Sequence, residues 1–137
     1  MSALAEALVA AQAELPCALG KDADGQIGQR SYRYLTLDKL IAETRPILQA
    51  HGLTITQHPT FIARGEDGAL PALETRLIHV GGDCIEYVMP LYLSEKTMQG
   101  LGAAITYARR YAWQSVLGIA AEEDTDGPAD PDAEIPF

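Results

Sequence analysis

Leu73-Glu74-Thr75-Arg76-Leu77-Ile78-His79-Val80-Gly81-Gly82-Asp83-Cys84-Ile85-Glu86-Tyr87-Val88-Met89-Pro90-Leu91-Tyr92-Leu93 is the stretch on which the fold turns. Leu73, Thr75 and Leu77 alternate with Glu74, Arg76 and Ile78, and after Gly81-Gly82-Asp83 the alternation resumes at Ile85, Tyr87, Met89, Leu91 and Leu93. Successive side chains of a strand point to opposite faces, so a period of two predicts two half-buried strands joined by a glycine turn. Upstream, the run after Gly52 is divided from Leu73 by Arg64-Gly65-Glu66-Asp67-Gly68, the chemistry of a second turn. Three antiparallel strands in a meander follow. Downstream, from about Ser94, the period becomes helical, with Met98, Leu101, Ile105, Ala108, Ala112 and Val116 three or four residues apart. A half-apolar sheet must bury one face, and this helix can cover it, which predicts an α+β layer.

Earlier in the chain, Ser2 suits the cap of an alanine-rich helix with Leu4, Leu8 and Ala11 on one side, ending before Pro16. Thr36 suits the cap of a second helix, with Leu37, Leu40, Ile41 and Leu48 on its apolar face and Gly52 at its end. Pro46 is expected to kink or split it. Between the two helices, residues 19–30 carry Gly20, Asp24, Gly25 and Gly28 and read as a loop leading into Tyr32-Arg33-Tyr34. At 137 residues and 47% hydrophobic, the chain suits one core. The expected organisation is a folded domain over residues 1–121 and an acidic, proline-rich tail over 122–137, whose composition cannot offset its ordering entropy and predicts disorder.

The formal charge of −9 is unfavourable for a phosphate-bearing partner, but its distribution matters more than its sum. Seven of the 19 acids lie in residues 122–137 beside no base, which leaves twelve acids against ten bases, a charge of −2, for residues 1–121. A near-neutral domain can carry a local basic face. No apolar run approaches the roughly 20 residues that cross a bilayer, the first residues lack a signal-peptide layout, and Cys17 and Cys84 stand alone. A cytoplasmic protein with no membrane partner is expected.

On the last helix, the apolar stripe leaves another side with Gln99, Thr106, Arg109, Arg110 and Trp113, and with Tyr107 and Tyr111 nearby. Arginine can fork onto phosphate oxygens, and aromatic rings offer sequence-tolerant stacking platforms worth about 1–3 kcal/mol per base. That chemistry suits single-stranded nucleic acid. A structural reading of the same residues buries Tyr107, Tyr111 and Trp113 in a core or subunit interface and pairs both arginines with local acids. Lys96, just before the helix, and Arg33 are second-tier candidates for the same footprint. Gly100, Gly102, Ala103 and Ala104 suit close backbone packing; as a phosphate cradle they lack both a full Gly-x-Gly-x-x-Gly run and a strand-turn-helix setting.

Gln99-Gly100-Leu101-Gly102-Ala103-Ala104-Ile105-Thr106-Tyr107-Ala108-Arg109-Arg110-Tyr111 resembles the signature of the essential recombination function (ERF) family of single-strand annealing proteins. Tyr32-Arg33-Tyr34, Pro46, Gly52, Thr75, His79, Leu117-Gly118-Ile119 and Glu122-Glu123-Asp124-Thr125-Asp126-Gly127 stand in the order that family shows, so the resemblance spans residues 32–127. It implies a phage or prophage recombination protein of the bacterial cytoplasm that binds single-stranded DNA and anneals complementary strands as a homo-oligomer, ring or filament. It implies no ATP, no cofactor and no bond cleavage, with Arg109, Arg110, Tyr107 and Gln99 on the DNA-binding and assembly helix. The last residues, Asp132, Glu134, Ile135, Pro136 and Phe137 among them, resemble the C-terminal tip of bacterial single-stranded-DNA-binding proteins, which docks into pockets on DNA-maintenance proteins. Two other functions compete: a module that coats single strands without pairing them, and a metal-dependent nuclease using acids such as Asp83 and Glu86. The Asp22-x-Asp24-Gly25 and Asp124-x-Asp126-Gly127 repeats fail the spacing of a calcium loop.

Overall fold

A computed structural model describes residues 2–122; the tip residues Asp132, Glu134, Ile135, Pro136 and Phe137 lie outside it. The elements run in chain order as α1 (Ala3–Glu14), β1 (Ala18–Leu19), β2 (Ala23–Ile27), β3 (Arg30–Tyr34), α2 (Leu37–Ala50), β4 (Leu53–Ala63), β5 (Ala69–His79), β6 (Cys84–Pro90), α3 (Met98–Leu117) and β7 (Ala120–Ala121). The expected meander is present: β4, β5 and β6 form one antiparallel sheet, with Leu77 opposite both Ile55 and Ile85, and Thr75 opposite both Gln57 and Tyr87. Leu73, Thr75 and Leu77 of β5 have no exposed surface. The other face carries Arg76, ion-paired with Glu74 on its own strand and with Glu86 across the ladder at 3.3 Å. Charge on that side and apolar residues on this one are the alternation read in the sequence.

The first two helices start at the expected caps, Ser2 and Thr36, and the third starts at Thr97. The hydroxyls of Ser2, Thr36 and Thr97 accept from the amides of Ala5, Lys39 and Gly100, three residues on in each case. The last helix begins at Met98 rather than near Ser94 because Thr97 takes the cap. Pro46 does not split α2, which runs unbroken from Leu37 to Ala50. It sits on the exposed side, where the carbonyl freed by its missing N–H can meet water. Gly52 follows with φ +73, a conformation only glycine adopts without strain.

Residues 19–30 are not simply a loop. β2 and β3 form an antiparallel hairpin, Ala23 opposite Tyr34 and Ile27 opposite Arg30, around a turn whose first residue, Gly28, has φ +63. Its strand Ala-Asp-Gly-Gln-Ile offers no apolar alternation because the hairpin does not build on the core. It is held at its base by Asp22, whose carboxylate accepts from the Thr36 amide at 2.8 Å and the Thr36 hydroxyl at 2.6 Å. The short strand after α3 closes on the segment before this hairpin: β7 pairs in parallel with β1, Ala120 opposite Ala18.

The core has two parts. One joins α1, α2, the C-terminal half of α3 and the β4–β5 end of the sheet around Leu40, Leu48, Leu53, Leu77, Trp113 and Leu117. The other lies between α3 and the β5–β6 side, around Leu73, Leu91, Ala108 and Ala112. Trp113, expected on the outward side of the helix, is 2% exposed. Its indole N–H donates to the Thr44 hydroxyl at 2.9 Å, and that hydroxyl donates to the Leu40 carbonyl at 2.8 Å. Met98, expected on the buried stripe, is 82% exposed. The stripe outruns the sheet at the first turn of the helix. Tyr87 donates its hydroxyl to the Ala112 carbonyl, and burial, partly opposed by a hydrogen bond with Thr75, raises its pKa above 10.0, so the phenol stays a donor.

Two measurements follow from these ties. Thr44→Val keeps the shape of the side chain but removes the only acceptor shown for the buried indole, and is expected to cost about 1–3 kcal/mol in urea unfolding with an unchanged m-value. A loss under about 0.5 kcal/mol would mean that the indole N–H finds another partner. Asp22 is slightly buried, which raises its pKa, but the bonds from Thr36 and the charge of Lys39 outweigh this and lower it below the ordinary 3.8. A depressed carboxylate pKa adds stability that is fully present above 3.8 and lost as the pH falls through the lower folded-state value. Asp22→Asn should therefore melt below wild type at neutral pH, with the gap closing in acid below 3.8; a gap of constant size would remove charge from the account.

Candidate nucleic-acid interface

Gln99, Gly102, Ala103, Thr106, Tyr107 and Arg110 are spaced by three or four residues along α3 and form one stripe. Against that stripe stands the β2–β3 hairpin. Together with Gly25, Tyr32 and Tyr34 it lines a concavity of about 510 Å³. A second depression of about 410 Å³ continues past Arg110 and Tyr34 to Arg109, Thr106, Thr36, Leu37, Asp38 and Ile41 at the start of α2. The two share Tyr34, Thr106 and Arg110, so they make one trough with Arg110 at its centre. On the far side of Tyr107, which is 54% exposed, a more apolar groove of about 630 Å³ runs between α3 and the chain leaving β6, lined by Leu91, Tyr92, Ala104 and Tyr111 among others.

The two arginines have different surroundings. Arg109 donates through Nε to Gln57 Oε1 at 3.2 Å, and the Gln57 amide returns a bond to the Arg109 carbonyl at 3.1 Å while also donating to the buried Thr75 hydroxyl at 3.2 Å. This arginine is tied to the sheet. Arg110 instead lies over rings: its guanidinium carbon is 4.9 Å from the centre of the Tyr34 ring, 5.3 Å from Tyr107 and 5.5 Å from Tyr111. Tyr107 and Tyr111, one helical turn apart, approach each other to 4.6 Å between centroids. Neither arginine forms an ion pair among the described residues, so the structural alternative in which both are neutralised by local acids is not what the fold adopts. That alternative holds for Trp113, which is core.

The remaining candidates divide by element. Gln99 and Thr106 line the trough. Lys96 is exposed in the segment before α3. Arg33 is on the hairpin but alternates with Tyr32 and Tyr34 and so faces away from them; it donates to the Lys21 carbonyl at 2.9 Å and meets Asp24 at 3.6 Å. Gly100 serves close packing, since a Cβ there would lie 2.1 Å from the Glu95 carbonyl oxygen, whereas Gly102 faces open space on the trough side. Of the acids weighed for a nuclease, Glu86 is engaged with Arg76 and Asp83 is in the turn before β6.

Tyr32, Tyr34, Gly25 and Gln57 were not among the residues singled out for the site. Tyr32-Arg33-Tyr34 did carry a usable signal, because two aromatic residues two apart share a face of any strand. Gly25 pairs with Tyr32, and a Cβ at Gly25 would lie 2.7 Å from the Tyr32 ring, so the glycine lets that ring lie across its neighbour strand. No segment of the described residues is long and apolar enough to cross a membrane as a helix. No curated protein and no solved structure matches the chain. A family model described as the ERF superfamily matches residues 4–134, nearly the whole length and including the trough and both of its walls, and the chain thus belongs to the ERF superfamily.

Proposed function

We propose that the chain binds single-stranded DNA in the trough between α3 and the β2–β3 hairpin and pairs complementary strands, without ATP, cofactor or bond cleavage. The observation that carries this is Arg110, a permanent cation held among tyrosine rings at the centre of a shallow, open depression. Arginine meets phosphate, exposed rings meet bases without regard to sequence, and a shallow site leaves base edges free to test a second strand. Membership of the ERF superfamily supports recombination as the setting; in this proposal annealing takes place in a bacterial cytoplasm and is carried out by a ring or filament of identical subunits. Arg109, Tyr107, Tyr111, Gln99 and Thr106 complete the proposed footprint, with Lys96 and Arg33 at its margins. Residues 1–121 form the annealing domain in this proposal, and the acidic residues 122–137 are a tether whose Ile135-Pro136-Phe137 end recruits host DNA-maintenance proteins.

Mixing two complementary unstructured oligonucleotides with the protein, in the absence of ATP and metal, tests the proposal directly. Wild type should speed duplex formation, and an Arg109→Ala/Arg110→Ala variant should not. Binding to either strand alone should weaken with salt at about 0.7 in log K per log salt for each phosphate neutralised. Binding without faster pairing would make the chain a coating module, and no binding at all would sink the assignment.

A further inference from the structure

We propose that Tyr34, on the hairpin, is a positioning residue for phosphate: with Tyr107 and Tyr111 it holds the Arg110 guanidinium by its faces, so that its N–H edge is presented to the DNA backbone. This role rests on the strand-binding function proposed above and adds to it a second wall and a division of labour between the paired arginines.

A guanidinium has two chemically distinct aspects. Its faces are electron-poor and attract aromatic rings, while its five N–H groups lie in the plane and need acceptors. A ring held against a face uses none of the donors. At Arg110 three rings come from two separate elements, Tyr34 from β3 and Tyr107 and Tyr111 from α3, all within 5.5 Å. Among the described residues no hydrogen bond or ion pair is made by its side chain. Arg109 and Arg33 differ, for each donates to an acceptor, and Arg76 is ion-paired with Glu74 and Glu86.

Arginine side chains carry much rotamer entropy, and gripping a phosphate ordinarily costs it. A side chain already fixed by rings binds with less of that loss. Arg110 lines both depressions, so a strand lying in the trough would meet its guanidinium. The hairpin is the device that completes the cage. Tyr34 closes β3 directly before Leu35, which is 2% exposed, and Thr36, which Asp22 ties down, so its ring is anchored at the point where the hairpin joins the core.

The test is fluorescence anisotropy of a labelled oligo-dT across a salt series, with wild type, Tyr34→Leu, Tyr34→Phe, Arg110→Gln, Arg110→Lys and the Tyr34→Leu/Arg110→Gln pair. Tyr34→Leu should weaken binding roughly 2- to 30-fold, the range of a cation–π contact, and lower the salt slope by about 0.7, the share of one phosphate. Tyr34→Phe, which keeps the ring, should stay close to wild type. The pair should bind no worse than Arg110→Gln alone, because both changes remove one grip. Arg110→Lys, which keeps the charge but not the plane that the rings hold, should lose affinity as Tyr34→Leu does; it serves as the decisive variant if Tyr34→Leu melts out. Equal affinity of Arg110→Lys and wild type overturns the proposal. So do an unchanged slope in Tyr34→Leu with losses that multiply in the pair, which would make Tyr34 an independent stacking platform. Either of those results leaves strand binding itself intact, whereas a wild type that does not bind oligo-dT overturns both.

Discussion

Everything at the site depends on how closely α3 sits on the sheet. Ala108 and Ala112, nearly without exposed surface, let the helix backbone approach β5 and β6 until the Tyr87 hydroxyl reaches the Ala112 carbonyl. One residue on, Trp113 crosses to α2 and bonds Thr44. These two contacts, on adjacent residues and directed at different elements, fix the rotation of the helix about its axis. Neighbouring residues on a helix differ by about 100° in direction. Once Ala108 and Ala112 face the sheet, Arg109 is carried toward Gln57 on β4 and Arg110 toward the hairpin. The difference between the two arginines is thus a consequence of alanine packing and not of their own chemistry.

The two walls of the trough are held by different forces. The helix wall stands on apolar burial, with Leu117, Trp113 and Ala112 in the core. The hairpin wall stands on the Asp22 bonds to Thr36, on the pairing of β2 with β3, and on the rings over Arg110. Elements with few buried apolar contacts open at lower free energy than core elements. A binding surface with one rigid and one yielding wall can admit and release a flexible strand without disturbing the core.

Period made most of the fold legible. Alternation through Leu73, Thr75 and Leu77 and through Ile85, Tyr87 and Met89 marked the strands, and Ser2 and Thr36 marked helix starts, because each rests on local geometry. The hairpin escaped because its residues satisfy their backbone by pairing while burying almost nothing apolar, and such a strand has no period to read. Trp113 was misplaced for a related reason: a single stripe assumes one covered side, while α3 is covered both by the sheet and by α2. At the site, Arg109 and Arg110 were legible as a basic pair beside rings. Their separation into a sheet-tied and a ring-held arginine was not, since Gln57 and Tyr34 are 52 and 76 residues away from them in the chain and only tertiary packing brings them near.

The charge of the domain bears on how such a protein would hold DNA. With −2 over residues 1–121, the trough has few cations to spend, and each phosphate contact contributes only about 0.7 to the salt slope. A subunit with one or two arginines in contact grips a strand weakly on electrostatics alone, and stacking on Tyr107 and its neighbours has to supply much of the rest. Weak grips along a continuous strand combine through effective concentration when the subunits are joined, so an assembly of such subunits holds DNA firmly while each contact remains easy to break. Annealing asks for that combination, because a strand must be kept extended yet surrender its bases to a complement. The proposed oligomer and the sparse basic surface are therefore two sides of one requirement: a subunit that bound tightly by itself would hinder the pairing step.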